Sequence, residues 1–418
     1  MIRTGTGRPS AARLRRLLAI LAGVTVLAAV AVLVPQHLSR SKSHAAQPAP
    51  TSRPTTSAPT TSPTPTIAPS GSTAAEPHVV GNQLMDRRTG LPFTPRGVDW
   101  SSFEYACTQG WGYSALDTLG SAATTTVAAA LHSWGVNTVR LPLNEDCWLG
   151  TRGAPVSDAS TARTSTGYRQ EVHTFVDALH ARGIAVILDL QSRKLVGSDA
   201  FGNYAMPDTD AVAFWGQVAT EYRGDPSVMF DAFNEPNSRP TSAGGGGFTL
   251  SWQCWRDGGC QVPDVDDATP LDGRTYPAVG MATIVTTIRA DGAAQPILLG
   301  GLDYANDLSE WLHYAPADPQ LVAAFHTYDF TSCSTPTCWD AKVAVLAQSV
   351  PVITSELGAN QPLDGYVAKY LTWATSHRIG VLFWVWGNTD ASPMSLTTDE
   401  TGDPTQYGLL AQNWLRSP

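Results

Sequence analysis

Apolar runs and amphipathic stretches alternate along most of this chain, in a repeating order. Short runs rich in Val, Ile, Leu and Phe, closed by polar or turn residues, recur at Asn137–Asn144 (NTVRLPLN), Ile184–Gln191 (IAVILDLQ), Val228–Glu235 (VMFDAFNE), Pro296–Leu302, Leu321–Asp329, Val350–Gly358 and Gly380–Asn388. An earlier one ends at Arg96–Trp100 (RGVDW). Runs of this kind, apolar on both faces, read as buried parallel strands. Helix-period stretches separate them, such as Asp208–Arg223 with Phe214, Trp215, Val218 and Tyr222 on one face. Strand–helix alternation repeated about eight times predicts an α/β protein with a closed (β/α)8 TIM barrel. An open doubly wound sheet fits less well. No Gly-x-Gly-x-x-Gly turn follows an early strand, and polar residues end many strands instead of lining one crevice.

The N-terminal part has a different pattern. Arg3, Arg8, Arg13, Arg15 and Arg16 precede the weakly polar stretch Leu17–Val34, a basic n-region followed by an apolar h-region. The expectation for residues 1–46 is either a signal peptide, with a small-x-small site at Ser43-His44-Ala45, or a single retained transmembrane anchor. Residues 47–75 are almost only Pro, Thr, Ser and Ala. They cannot bury enough apolar surface to offset chain entropy and predict a disordered stalk. Residues 76–418 form the remaining domain, which this layout places outside the cytoplasm, secreted or tethered by the N-terminal helix.

Charge and cysteine usage narrow the partners. All 36 acidic residues but only 19 of the 27 basic ones fall in Glu76–Pro418, a net of −17. That balance opposes binding to nucleic acid or anionic lipid and suits a neutral or cationic partner. Six cysteines in an exported chain predict disulfides. Sequence proximity favours Cys254–Cys260 and Cys333–Cys338, leaving Cys107–Cys147. No Cys-x-x-Cys pair occurs and no His stands at zinc spacing from a Cys, so no metal is expected there; a reaction run by two carboxylates requires no organic cofactor either. The long connection from Asn237 to about Tyr276, with its cysteines and with Trp252 and Trp255, is expected to be ordered in its second half beside the cleft.

The chemistry-bearing residues stand at strand ends, where an α/β barrel keeps its active site. Glu235 closes the fourth run and Glu356 the seventh. Two facing carboxylates are the minimum apparatus for cleaving a glycosidic bond: one protonates the leaving oxygen, the other attacks the anomeric carbon or activates water. Residues two apart share a strand face, so His326 points with Tyr328, and Trp384 with Trp386. Arg140 ends the second strand, where a fixed cation would favour a charged carboxylate. Tyr328 can hydrogen-bond a nucleophile, and Trp386 offers a flat face to a sugar ring.

Asn234-Glu235-Pro236 after an apolar strand, His326-Thr327-Tyr328, Ser355-Glu356-Leu357-Gly358 and Trp384-Val385-Trp386 together resemble glycoside hydrolase family 5, a clan A group that includes many cellulases. Order and spacing agree over nearly all of Gly97–Trp414, and NTVRLPLNEDCWLG (Asn137–Gly150) and CWRDGG (Cys254–Gly259) further resemble a bacterial branch. The resemblance implies a monomeric retaining enzyme acting on β-linked polysaccharide or oligosaccharide, such as β-1,4-glucan. In it Glu235 is the acid/base, Glu356 the nucleophile and Asn234 the partner of the sugar 2-hydroxyl. Arg140, His326 and Tyr328 frame Glu356. Trp386 is the sugar platform, with Trp384 as fallback if the strand register is off by two. The chain departs from the family at Gln191, where the family usually carries His. An amide can hold a sugar hydroxyl but cannot titrate, which implies an altered substrate preference with the chemistry kept.

Blander readings stand beside these. Either glutamate could merely close a strand, Arg140 could pair with Glu145 or Asp146, and His326 with Tyr328 could be a satisfied buried pair. Trp100, Trp111, Trp148, Trp252 and Trp255 serve equally as platforms or packing, and Asp189 and Asp231 read as structural. The rival functions are a carbohydrate-binding pseudoenzyme, a stalk-borne adhesion protein and a transglycosylase on the same barrel.

Overall fold

The computed structural model describes residues 72–417 apart from 121, 155–162, 195–200, 240–246 and 388–391. Eight parallel strands form the centre: β1 (Arg96–Trp100), β2 (Thr138–Asn144), β3 (Ala185–Lys194), β4 (Val228–Asp231), β5 (Ile297–Gly300), β6 (Leu321–Thr327), β7 (Val352–Leu357) and β8 (Gly380–Trp386). Each pairs with the next, and β8 pairs with β1, so the sheet closes on itself as a barrel. Closure explains the apolar runs. Strands walled by helices outside and by one another inside meet no water on either face.

Helices follow the strands around the outside. Thr209–Tyr222 buries Phe214, Trp215, Val218 and Tyr222 and starts at Asp208, whose carboxylate accepts from the backbone N–H groups of Asp210 and Ala211. The indole of Trp215 donates to the carbonyl of Ala232 at 2.9 Å, tying this helix to the chain just past β4, three residues before Glu235. A hairpin, Pro77–Val80 against Gln83–Asp86, covers the opposite end of the barrel. Its Leu84 joins Ile187, Met229, Leu298, Val322, Ala324, Ile353 and Leu382 in the buried cluster that fills the barrel interior there. Gly97 of β1 is required by close approach: a Cβ would lie 1.6 Å from the carbonyl oxygen of Thr138.

The long connection after β4 is built in its second half from the helix Trp252–Asp257 and an antiparallel hairpin, Gly258–Pro263 with Thr275–Val279. The indole of Trp255 donates to Gly300 at 2.9 Å, at the end of β5, and Trp252 stacks on Tyr314. The six cysteines stand as the pairs Cys107–Cys147, Cys254–Cys260 and Cys333–Cys338, with Cα separations of 6.0, 5.8 and 5.4 Å.

The expectation of a transmembrane anchor is corrected. Among the described residues no helix is long and apolar enough to cross a membrane. The stretch Leu17–Val34 and the Pro/Thr/Ser segment lie outside the described residues.

Candidate active site

Strand direction brings the polar strand ends together at one mouth of the barrel. Arg140, in the middle of β2, is fully buried and anchors them. Its Nε donates to Asp231 at 2.9 Å, one terminal nitrogen to Asp99 at 3.0 Å and to Glu356 at 2.9 Å, and the other to Asn234 at 2.8 Å. Asp189 completes the set at 3.1 Å. One guanidinium therefore faces four carboxyl groups from β1, β3, β7 and β4. The pairing of Arg140 with Glu145 or Asp146 is not found: those carboxylates meet Arg152 instead.

Four anions around one buried cation cannot all be charged without a large penalty. Burial, opposed by Arg140, pushes Asp99 and Asp189 well above the usual carboxylate range and Asp231 up to about 6. Burial also opposes the charge on Arg140, but Asp189, Asp231, Asp99 and Glu356 hold it well above its ordinary value. Arg140 is thus shared among four carboxyl groups, of which Glu356 is the one that lines the cavity.

Glu356, in β7, has both oxygens occupied. Arg140 binds one, and the phenol of Tyr328, just past β6, donates to the other. Burial raises Glu356 above its ordinary value, and a charge on Glu235 adds to this. A charge on His326, when present, Arg140 and the Tyr328 hydrogen bond pull it back. Glu235 lies four residues past the end of β4, with its side chain 13 % exposed against 4 % for Glu356. It has no cation in direct contact among the described residues, and burial pushes it up to about 8. Two carboxylates thus share one site with unequal support for charge, the arrangement that separates an acid from an anion.

His326 lies between them. Its Nδ1 is 2.9 Å from Glu235 and 3.6 Å from Glu356, and its Nε2 is 3.0 Å from the hydroxyl of Ser355. Burial drives His326 down to about 4, so the ring is neutral and carries one proton. When Glu235 is protonated it donates to Nδ1, and Nε2–H donates to Ser355. When Glu235 is ionised, Nδ1–H donates to it and Ser355 donates to Nε2. The ring serves both states of Glu235 without taking a charge. One oxygen of Glu235 and one of Glu356 lie within 4.8 Å of each other and of a His326 nitrogen.

A cavity of about 610 Å³ opens over the two glutamates and is lined by Gln191, Tyr328, Trp384 and Met394, with Asn203, Asp267, Asp303, Tyr304 and Phe330 further round. Gln191 is 7 % exposed and lies 3.4 Å from Arg140.

Trp386 is corrected as a platform. It is fully buried against Trp134, with its indole N–H donating to the Glu400 carbonyl. Trp384, the fallback, lines the cavity. The pairing of β8 with β1 shifts register between Phe383 and Trp386, which breaks the alternation that would have put both rings on one face. Of the other tryptophans, Trp100, Trp148 and Trp255 are fully buried packing.

Four cavity residues, Asn203, Asp267, Asp303 and Tyr304, gave little sequence signal. Asp303 and Tyr304 directly follow the fifth apolar run, a position that the strand-end rule marks; Asn203 and Asp267 sit in connections without a pattern. Asp303, Tyr304 and Ala305 take φ of 53°, 60° and 56° in succession, a left-handed turn that costs non-glycine residues roughly 1–2 kcal/mol each. The Tyr304 N–H donates to Pro236 at 3.1 Å, and the Asn306 amide donates to the His326 carbonyl at 2.7 Å. These bonds fix the turn against both strand ends that carry the central residues.

A second cluster of ligand-type groups, Glu145, Asp208 and Asp210, is threaded by Arg152, at 3.1, 2.6 and 3.1 Å from them. Its guanidinium supplies the positive charge that a cation would bring.

The profile of the family described as Cellulase (glycosyl hydrolase family 5) matches residues 95–390. The chain belongs to this family. It is an enzyme of the O-glycosyl hydrolase class. Among solved structures, it is similar to a beta-glucanase from Saccharophagus degradans, at 21 % identity and TM-score 0.62 over 85 % of this chain and 96 % of that one. It is also similar to the catalytic domain of an endoglucanase from Thermobifida fusca, at 16 % identity and TM-score 0.56 over 83 % of this chain and 100 % of that one. At these identities the likeness is one of fold.

Within this glycosyl hydrolase family 5 site the two tryptophans of β8 make separable predictions. Trp384→Ala is expected to raise KM for oligosaccharides roughly ten- to hundred-fold, since an aromatic face is worth ~1.5–3 kcal/mol when covered, with little change in Tm. Trp386→Ala is expected to cost ~3–5 kcal/mol of stability and to show in urea unfolding. Equal effects of both on KM would refute the assignment.

Proposed function

We propose that the protein is a retaining β-glycosidase that cleaves β-linked polysaccharide of the β-1,4-glucan kind. The observation that carries this reading is the pair of glutamate oxygens within 4.8 Å across the cavity. Retaining enzymes hold their carboxyls ~5–5.5 Å apart, whereas inverting ones leave ~6.5–9.5 Å for a water. Solved structures of the Saccharophagus degradans beta-glucanase and of the Thermobifida fusca endoglucanase hold cellotetraose, which supports a glucan as the first substrate to try.

In the first step a Glu356 oxygen attacks the anomeric carbon as the bond to the leaving oxygen breaks and Glu235 transfers its proton to that oxygen. Arg140 and Tyr328 keep Glu356 charged and aimed. In the second step ionised Glu235 takes a proton from water, the water oxygen attacks the anomeric carbon, and the ester to Glu356 breaks. Forming the ester removes the Glu356 charge and its repulsion on Glu235, which favours the ionised base when it is needed. Asn234, fixed by Arg140, is the partner of the 2-hydroxyl, and Trp384 the sugar platform. Gln191 offers a donor and an acceptor that cannot titrate, so its contribution is to substrate preference. The three cysteine pairs support an oxidising compartment, with residues 1–46 read as a secretion signal and 47–75 as a stalk.

The test is reducing-end release by the purified protein from β-glucans, mannans, xylans and chitosan, with the anomer followed by NMR. Release of the β-anomer first is expected; the α-anomer would sink the mechanism, and silence across the panel would sink the function. The rate should fall as pH rises through about 8, because Glu235 then loses the proton it must donate, and again at low pH as Glu356 gains one.

A further inference from the structure

Near its carboxyl end, β3 departs from regular pairing with β2. Leu190 stands opposite Leu143 and Ser192 opposite Asn144, so Gln191 is an extra residue with no partner in β2. Such a bulge re-aims a side chain, and bulges gather at barrel rims beside active sites. Here it delivers an amide that is 7 % exposed into the wall of the catalytic cavity. The Gln191 side-chain oxygen lies 3.4 Å from Nη1 of Arg140. A guanidinium carries donors only, so the oxygen end of the amide faces it and the nitrogen end faces away. That nitrogen donates to no described residue, yet it is not one of the enclosed polar atoms of the interior. Asn234 repeats the arrangement on the other terminal nitrogen. Its Oδ1 accepts from Arg140 at 2.8 Å, the residue is 2 % exposed, and its amide nitrogen makes no hydrogen bond among the described residues.

We propose that Gln191 is a specificity-determining residue of one fixed polarity: with its acceptor committed to Arg140, it reads the 3-hydroxyl oxygen of the sugar at the cleaved bond through its N–H donors alone. This rests on the reading of Glu356 as the nucleophile and of Asn234 as the partner of the 2-hydroxyl. On that reading, the second amide hung from the same guanidinium meets a neighbouring ring position. One neighbour of the carbon that bears the 2-hydroxyl is the anomeric carbon, which faces Glu356. The other bears the 3-hydroxyl. Both amides are turned the same way, so the two hydroxyl oxygens meet donors and no acceptor from either residue. A buried donor left without a partner is costly, so a sugar lacking an acceptor at this position is discriminated against. An imidazole in this place could donate, accept or take a charge. The anchored amide presents the same donors at every pH.

The experiment has two arms, and the first needs no turnover. In the full chain labelled with 15N-glutamine, the side-chain NH2 pair of Gln191 is assigned by its loss in Gln191→Met. The pair is expected to exchange with water as exposed glutamines do. A pair protected from exchange would mean that the nitrogen is turned inward onto a carboxylate, and overturns the proposal. The second arm measures kcat/KM on aryl β-cellobiosides whose aryl-bearing unit carries hydroxyl, fluorine or hydrogen at position 3. Wild type is compared with Gln191→Met, which keeps the length of the side chain and loses its donors. Taking the ratio of wild type to variant for each probe removes the intrinsic reactivity of the probe. The ratio is expected to be about ten or more for hydroxyl, smaller for fluorine, which accepts only weakly, and smallest for hydrogen. The order hydroxyl, hydrogen, fluorine would mean that Gln191 accepts, and equal ratios that it does not touch this position; either result overturns the proposal. If wild type turns over none of the probes, the functional reading fails and takes the 3-hydroxyl assignment with it, while the exchange arm still decides the direction of the amide. If Gln191→Met does not fold, Gln191→Ala takes its place in both arms.

Discussion

Glu356→Gln is expected to lower kcat by roughly 10⁴-fold or more, with KM and fold retained. On the proposed mechanism the amide keeps the shape and one acceptor oxygen but is too weak a nucleophile to attack the anomeric carbon. It also removes one of the four carboxyl groups around Arg140, three of which lie on barrel strands and remain. Tm should therefore hold or rise, because one fewer buried carboxyl group competes for the single cation. The check is single-turnover kinetics beside thermal unfolding. A ten-fold loss or less would mean that Glu356 is not the nucleophile, and a large fall in Tm that its burial has been misread.

Arg140→Met should have the largest effect on stability. It leaves Asp99, Asp189, Asp231 and Glu356 buried together without a cation, and breaking a buried pair by removing one partner costs ~3–5 kcal/mol. The loss should depend on pH in a defined direction. Without Arg140 the carboxyls bind protons still more tightly in the folded state than in the unfolded one. Folded values above unfolded ones mean stability that is present at low pH and lost as pH rises through the folded values. The variant should accordingly lie closer to wild type at pH 5 than at pH 8 in urea unfolding. A uniform deficit at both pH values would show that the loss comes from packing.

The eight strands were legible because strands buried on both faces read as unbroken apolar runs, which amphipathic helices do not imitate. Glu235 and Glu356 were legible for a related reason. One carboxylate that ends such a run could merely close a strand, but two of them on different strands, with Arg140, His326 and Tyr328 at matching ends, point to one shared mouth. Which tryptophan of β8 faces the cavity was not, since period-two alternation assumes regular pairing and β8 departs from it between Phe383 and Trp386. The aspartate partners of Arg140 were also missed. Asp189 and Asp231 were read as structural and Asp99 was not singled out, because a sequence shows which residues share a strand but not which strands close onto one another. Asn203 and Asp267 lay further out of reach. They come from connections, where side-chain position depends on tertiary packing and no local periodicity reports it.

The cysteine pairs differ in the lengths of chain they close: 40 residues for Cys107–Cys147 against 6 and 5 for the others. On loop-closure entropy the first is worth ~4 kcal/mol and each of the others ~2 kcal/mol. The first also joins the connections that leave β1 and β2, the strands that hold Asp99 and Arg140. A producing host therefore matters as much as a mutation. The same gene expressed in a thiol-rich cytosol would yield a barrel whose strands are intact but whose rim over β1 and β2 is untethered, and such material would be the first to lose activity on storage or warming.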